Sequence, residues 1–274
     1  MTQLVDLHRP VGITTYLRRL WRLRDFVLLL PASQLRAQMG VHRLGIAWLL
    51  LNPLLYAAVY WGVFGVLLGT SRGVEHFPAF LVTGVFAFHF FQRSVNAALR
   101  TVQRQRALIQ QIGFPRVALP VASTLGELYL HLPGLVVVVL LAWATGVPPS
   151  VRWLLLVPAC AVLTTFNLGV AMLAARAASH VRDLQQLTPH VLRVLLYVSG
   201  VLFPAQLVAD RAGTTVLRIF EANPIWILLS LYRQAVLGDP VTASTWLAGL
   251  AWAVGSVVLG LVWFRQHELR YVDG

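Results

Sequence analysis

The chain has 274 residues, of which 58% are hydrophobic and only 12% are charged. A soluble globular protein carries about 25% charged residues, so this composition excludes a soluble domain and predicts an integral membrane protein. The formal net charge is +12, and every basic residue is an arginine. Long apolar stretches separate the arginines, which argues against a nucleic-acid-binding surface, and no nucleic-acid partner is expected.

Six apolar stretches match the length of membrane-crossing helices, which need about 20 residues each. They cover residues 44–69, 78–99, 119–144, 153–175, 191–208 and 246–264. The fifth stretch is the shortest and carries Arg193. We therefore predict an all-α integral membrane protein with six transmembrane helices, whose transmembrane domain covers residues 44–264 and whose tail covers residues 265–274.

Two more segments have the pattern of membrane association without crossing. Residues 1–43 form a cytoplasmic or interfacial region. Within it, over Thr14–Met39, arginines alternate with leucines and aromatic residues, which predicts an amphipathic helix on the inner membrane surface. A simple juxtamembrane retention signal is the alternative. The apolar piece Ala222–Leu231 is too short to cross a bilayer, so it predicts an interfacial or re-entrant helix between spans five and six.

The distribution of arginine predicts the orientation of the chain. With the N-terminus inside, 17 arginines lie on the inner side of the membrane and five lie on the outer side. Because cytoplasmic loops are enriched in basic residues, both termini are expected to be cytoplasmic.

No catalytic constellation is visible in the sequence. The single cysteine, Cys160, lies in an apolar run, and no cluster of histidines and cysteines has the spacing of a metal site. A Walker A motif is impossible without lysine, so any ATP must be hydrolysed by another polypeptide. We expect no catalytic residue, no metal and no cofactor in this chain.

Glu127 and His131 lie one helical turn apart inside the third span. Ionisable side chains in hydrocarbon are costly unless they are paired or hydrated. We expect the two residues to satisfy each other or a neighbouring helix, with Arg193 as one possible partner, and to hold the bundle together. A proton relay and a polar translocation path are the alternatives.

Four residues recur every four positions in the first span and form one stripe on a helix face. They are Asn52, Tyr56, Tyr60 and Phe64. Such a stripe, with Tyr197 of the fifth span, predicts a path for sugars, whose C–H faces pack on aromatic rings while their hydroxyls meet polar oxygens. A packing seam between helices is an equally good interpretation.

Several short motifs occur in a characteristic order along residues 35–270. They are Leu44-Gly-Ile-Ala-Trp-Leu-Leu-Leu-Asn-Pro-Leu, Phe114-Pro-Arg-Val-Ala-Leu-Pro, Arg182-Asp183, Ser199-Gly-Val-Leu-Phe-Pro204, Asn223-Pro224 and Tyr232-Arg233. Taken together, the chain resembles the membrane-spanning subunit of ABC-2 type exporters. The branch that it resembles exports polysaccharides such as O-antigen, teichoic acid and lipid-linked cell-wall glycans.

This resemblance implies a half-transporter in the plasma membrane of a bacterium. It would pair with a second copy of itself and with two copies of a separate ATPase subunit, which bind ATP and Mg²⁺. Its cargo would be a polyprenyl-diphosphate-linked glycan that moves from the cytoplasmic to the outer side. In this family the segment between spans five and six forms short re-entrant helices. An exporter of hydrophobic drugs or lipids and a proton-coupled secondary transporter are the alternatives.

Polar residues on the predicted cytoplasmic side are candidates for two further contacts. The contact with the ATPase is assigned to Arg100, Gln103, Arg104, Arg106, Gln110 and Gln111, with a solvated loop as the alternative. Arginines near the inner mouth would hold the diphosphate through bidentate charge-assisted bonds. The candidates for that contact are Arg43, Arg116 and Arg193.

Overall fold

The computed structural model describes residues 45–67, 69, 74–104, 117–181 and 183–268. Within these ranges the chain is helical and contains no strand, as the all-α prediction requires. The predicted amphipathic helix of residues 1–43 lies outside the described residues. The predicted tail begins inside the last helix, which ends at Glu268.

Eight α-helices make up the described structure. The first four are α1 (Gly45–Tyr60), which continues as a π-helical segment (Trp61–Leu67), α2 (Phe77–Arg104), α3 (Ala118–Ala144) and α4 (Leu156–His180), which follows a 3₁₀ turn (Val151–Leu155). The second four are α5 (Leu184–Val198), α6 (Ala205–Glu221), α7 (Pro224–Leu237) and α8 (Ala243–Glu268).

Helix α2 occupies the centre of the molecule and packs against α1, α3, α4, α5 and α7. An unbroken buried stretch, residues 79–88, accounts for the phenylalanine-rich pattern of this helix. Its hydroxyl side chains are satisfied within the helix, because Thr83 donates to the carbonyl of Ala79 and Ser94 donates to the carbonyl of Phe90. Burial among other helices explains how α2 tolerates polar residues such as His89 and Arg93.

Four helical segments are long and apolar enough to cross a membrane. They are Leu50–Leu67, Ala118–Ala144, Val151–His180 and Ala243–Phe264. These match the predicted first, third, fourth and sixth spans. The predicted second span lies within α2, whose 28 residues have the length to cross but a more polar composition. The total of six crossings stays a prediction.

The fifth predicted span, residues 191–208, is wrong as a single helix. Helix α5 ends at Val198, and the chain bends before α6 starts after Pro204. Gly200 adopts a φ of 66°, a left-handed conformation that favours glycine. The apolar run conceals this break, because hydropathy does not register the backbone conformation of one glycine.

The segment between α5 and α8 contains two short helices. Helix α6 is kinked at Gly213, which has a φ of 81°. Phe203 before α6 stacks on Phe220 near its end, with ring centroids 5.9 Å apart. The predicted re-entrant segment 222–231 corresponds to α7, which extends further, to Leu237, and packs against α2, α4 and α8. Whether α7 enters and leaves on one side of the membrane stays a prediction.

Helix α7 begins with a well-defined cap. The side chain of Asn223 accepts a hydrogen bond from the backbone N–H of Ile225 at 2.9 Å, and Pro224 occupies the first turn. The amide group of Asn223 also donates to Ser199 Oγ at 3.0 Å. The start of α7 is thereby tied to the end of α5.

Helices α4 and α8 approach each other closely at two glycines. A Cβ atom on Gly169 would collide with the backbone of Ser256, and one on Gly260 would lie 2.9 Å from Met172 Cβ and 3.0 Å from the Gly169 carbonyl oxygen. Small residues at such positions allow two helix backbones to pack tightly in a membrane. This contact fixes α8 to the bundle.

Candidate functional site

Two tyrosines of α1 and a phenylalanine of its π-helical continuation form a continuous row of rings, called the aromatic stack of α1 below. The rings of Tyr56 and Tyr60 are 6.4 Å apart and nearly parallel, and the rings of Tyr60 and Phe64 are 6.3 Å apart in an edge-on arrangement. Asn52 lies one turn earlier and is exposed, as is Tyr56, while Tyr60 and Phe64 are half-buried. The four predicted path residues therefore share one face that is partly open.

Helix α5 carries two more of the predicted residues. Arg193 and Tyr197 are one turn apart and both are exposed. The assignment of Tyr197 to the sugar path and of Arg193 to the diphosphate contact stays a prediction.

The polar residues of the third predicted span find partners on other helices. Glu127 Oε2 lies 2.9 Å from Arg93 Nε on α2, at ion-pair distance but outside hydrogen-bond geometry, and both side chains are about one-fifth exposed. Arg93 Nη2 also donates to the main-chain oxygen of Glu127 at 3.4 Å. The ion pair therefore joins α2 to α3.

His131 is buried and contacts two aromatic residues. Its Nε2 atom lies 3.2 Å from the hydroxyl oxygen of Tyr232 on α7, and its ring stacks on Phe90 of α2 at 4.5 Å. Glu127 and His131 thus have partners on neighbouring helices and not in each other. This is one of the two arrangements that the sequence analysis expected. Arg193 takes part in neither contact.

A small pocket lies between α1, α2 and α3, behind the aromatic stack. It is lined by Leu50, Pro53, Phe86, His89, Phe90, Arg93, Leu130 and His131. The ring of His89 lies 6.0 Å from that of Tyr56, edge to face. The pocket has room for about one water molecule. It is too small to hold a sugar.

Sequence reasoning missed the role of Arg233, which it counted only as an outer charge within a motif. The side chain is 4% exposed, and Nη2 donates to the carbonyl of Gly200 at 2.7 Å and to that of Val201 at 3.2 Å. The guanidinium also lies over the ring of Phe80, 3.5 Å from its centroid. Gly84 gives it room, because a Cβ there would lie 2.9 Å from Nη2. Arg233 therefore fastens the break after α5 to α2 and α7.

Asp239, in the loop after α7, lies near this arginine. Partial burial raises the pKa of the Asp239 carboxyl above its ordinary value, and the positive charge of Arg233 opposes that rise. Asp239 is thus an acidic neighbour for a guanidinium that is otherwise surrounded by carbonyl groups and an aromatic ring.

The remaining predicted residues lie at the inner end of the chain or outside the described ranges. Arg100 is exposed near the end of α2, and Gln103 and Arg104 occupy the last turn of that helix. Arg43, Arg106, Gln110, Gln111 and Arg116 are outside the described residues. In the described part of the chain, no three acidic, histidine or cysteine side chains are grouped to hold a metal.

The family model and the similar proteins point to the same family. Residues 27–237 match the model of the ABC-2 type transporter family. The O-antigen export system permease protein RfbA of Klebsiella pneumoniae is 21% identical over 91% of this chain and 94% of its own length. RfbA of Myxococcus xanthus is 25% identical over 79% of this chain and 82% of its own length. The polysialic acid transport protein KpsM of Escherichia coli is 22% identical over 86% of this chain and 90% of its own length.

The family match covers more than half of the chain and includes all helices up to the end of α7. It agrees with the apolar helices of the structure and with the resemblance drawn from the short motifs. This chain therefore belongs to the ABC-2 type transporter family and is a multi-pass membrane protein.

Proposed function

We propose that this chain is the permease subunit of an ATP-driven exporter. Its cargo is a polysaccharide linked to a polyprenyl diphosphate, which it moves from the cytoplasmic to the outer side of the plasma membrane. Both termini lie in the cytoplasm. The names of the relatives support a polysaccharide as cargo, since they describe O-antigen export and polysialic acid transport.

The observation that carries this proposal is the aromatic stack of α1. Tyr56, Tyr60 and Phe64 present successive rings along about 12 Å of helix. Ring faces bind the C–H faces of sugars through dispersion and do so without recognising one particular sugar. A row of them suits a long chain that must slide past the protein.

A second copy of the chain would complete the path. Within the described structure the main helix partners of α1 are α2 and α3, and much of its surface is apolar and open. The exposed apolar residues of α1 and α5 are Trp48, Leu51, Leu55, Val59, Leu187, Val191, Val194 and Val198. Two such faces opposed across a two-fold axis would enclose a passage lined by both aromatic stacks. The surrounding apolar surface would contact membrane lipid.

ATP hydrolysis is assigned to two copies of a separate ATPase subunit. They would contact the inner end of α2, through Arg100, Gln103 and Arg104, and the loop containing Arg106, Gln110 and Gln111. Gln185 at the start of α5 donates to the carbonyl of Leu99 near that end, at 3.0 Å. A displacement of α2 by the ATPase would therefore reach α5 and the path. Nucleotide binding drives transport only if it favours one of two arrangements of that path.

The lipid carrier would enter near the inner mouth of the path. Arg43 and Arg116 flank the inner ends of the first and third predicted spans, where a guanidinium can hold a phosphate by two parallel hydrogen bonds. Arg193 of α5 is the third candidate for this contact.

Depletion of the chain in its bacterial host tests the exported class of cargo. We expect lipid-linked glycan to accumulate on the cytoplasmic leaflet, where an added glycosidase reaches it only in inside-out vesicles. Tagged protein should co-purify with an ATPase. A normal distribution of lipid-linked glycan after depletion, or transport that follows a proton gradient without an ATPase, would contradict the proposal. Accumulation of a drug or a lipid instead would support the alternative exporter.

A further inference from the structure

The small pocket between α1, α2 and α3 has polar walls at a depth remote from bulk water. Its lining includes His89 and Arg93 of α2 and His131 of α3, and it has room for about one water molecule. Phe90, another lining residue, is at the midpoint of the 28-residue helix α2, about 20 Å from either end. Polar groups at such a depth cost free energy unless they have hydrogen-bond partners.

Pro53 of α1 adds a backbone acceptor beside this pocket. It lies inside α1 and lines the pocket from that side. Because proline has no backbone N–H, the carbonyl of Leu49, one turn earlier, loses its usual helical donor. Within membranes, carbonyls freed in this way are satisfied by neighbouring helices or by ordered water. The α1 side of the pocket therefore offers an acceptor to a donor inside it.

The two histidines each use one ring nitrogen and leave the other for the pocket. Nδ1 of His89 donates to Oε1 of Gln92 at 3.2 Å, so Nε2 of the neutral ring is an acceptor. Nε2 of His131 lies 3.2 Å from the Tyr232 hydroxyl oxygen, which leaves Nδ1 as its second polar atom. The hydrogen bonds among the described residues use neither of these remaining nitrogens. Arg93, the third polar wall, is already engaged by Glu127.

We propose that this pocket binds one water molecule, which bridges α1 to α2 and α3 behind the aromatic stack of α1. The water donates to Nε2 of His89 and to the carbonyl of Leu49. It accepts from Nδ1 of His131, whose Nε2 in turn accepts from the hydroxyl of Tyr232. Three hydrogen bonds are the usual number for a water molecule buried in a protein.

This hydration site lies directly behind the aromatic stack. The ring of His89 contacts the ring of Tyr56 edge to face, with centroids 6.0 Å apart. A water held on Nε2 fixes the rotation of the imidazole, so the site forms part of the rear wall of the stack. The inference concerns this wall and does not depend on which cargo passes in front of it.

Radiolytic footprinting of the exporter in lipid nanodiscs tests the site. An X-ray pulse converts water into hydroxyl radicals that react where they form, so an internal water labels side chains that bulk solvent does not reach. Mass spectrometry measures the hydroxylation of Phe86 and Phe90, which line the pocket and are 4% and 1% exposed. Phe88 of the same helix is 3% exposed and is not a lining residue, so it is the internal control.

Two variants remove partners of the water, each with a matched control. His89→Phe removes both ring nitrogens and keeps an aromatic ring against Tyr56, and His190→Phe changes an exposed histidine of α5. Pro53→Ala returns a helical N–H to the carbonyl of Leu49, and Pro189→Ala makes the same change inside α5.

We expect Phe86 and Phe90 of the wild type to be hydroxylated several times faster than Phe88. His89→Phe and Pro53→Ala should each lower the rate at both residues by about threefold to tenfold, the effect of losing one hydrogen bond. The two control variants should leave the rates unchanged.

Two results overturn the inference. One is equal hydroxylation of Phe86, Phe88 and Phe90 in the wild type, a result that does not depend on whether any variant folds. The other is rapid hydroxylation of Phe86 and Phe90 that neither His89→Phe nor Pro53→Ala lowers, because the water would then be held by other groups.

Discussion

The ionisable side chains inside the bundle are paired across helices that are distant in sequence. Arg93 and Glu127 are 34 positions apart, and His131 and Tyr232 are 101 positions apart. The sequence predicted that Glu127 and His131 require partners, because an isolated charge in hydrocarbon is costly. It could not identify those partners, since local spacing carries no information about which helices become neighbours.

Glu127→Gln should destabilise the protein more than removal of the whole ion pair. The single change leaves the Arg93 guanidinium without a counter-charge in a largely buried position and should cost about 1–3 kcal/mol, at the lower end because the pair is about one-fifth exposed. The double variant Arg93→Met with Glu127→Leu removes both charges. Thermal unfolding in detergent measures the difference, and a double variant less stable than Glu127→Gln would refute this account.

Among the helices, the structure differs from the sequence prediction at the end of α5 and in the length of α7. The sequence predicted a helix in each region and a short element before the last span. It did not predict the break after Val198, because the residues that follow are apolar and only the left-handed Gly200 and Pro204 interrupt them. It also ended the short apolar element at Leu231, whereas α7 continues to Leu237 and includes the buried Arg233. Two carbonyl oxygens and the ring of Phe80 make that burial possible.

Arg233→Met should release the connection between α5 and α7. The variant leaves the carbonyls of Gly200 and Val201 without their donor, and an unsatisfied buried acceptor costs about 1–3 kcal/mol. Arg233→Lys keeps a charge but lacks the planar group that spans both carbonyls and the ring, so it should restore only part of the stability. Thermal unfolding of both variants checks this. A lysine variant as stable as the wild type would show that charge alone suffices.

The α4–α8 contact gives a matched pair of glycines in one helix. Gly260→Ala would place a Cβ 2.9 Å from Met172 Cβ, whereas Gly255→Ala would meet nothing within 4 Å. The first should be less stable than the second by about 1–3 kcal/mol, because overpacking forces the helices apart. Unfolding midpoints measured side by side test this. Equal stability would mean that α8 moves freely against α4.

At the scale of the whole molecule, composition and motif order predicted a helical membrane protein and its family correctly. Four of the predicted spans correspond to helices that are long and apolar enough to cross. The central place of α2 was not predictable. Hydropathy indicates whether a helix suits water or lipid, but it does not indicate which other helices surround it. The aromatic stripe was predicted from its four-residue spacing, and the rings of Tyr56, Tyr60 and Phe64 do contact one another in the structure.

The central claim is that a glycan passes along the aromatic stack of α1 during ATP turnover. A photo-reactive benzoylphenylalanine at position 60 of the intact exporter tests this directly, with the same group at Trp252, an exposed aromatic residue of α8, as the control. Neither α1 nor α5 packs extensively against α8 in the described structure. We predict that radiolabelled lipid-linked glycan becomes attached at position 60 only when ATP is hydrolysed, and not at position 252. Continued transport without attachment at position 60, or equal attachment at both positions, would contradict the account.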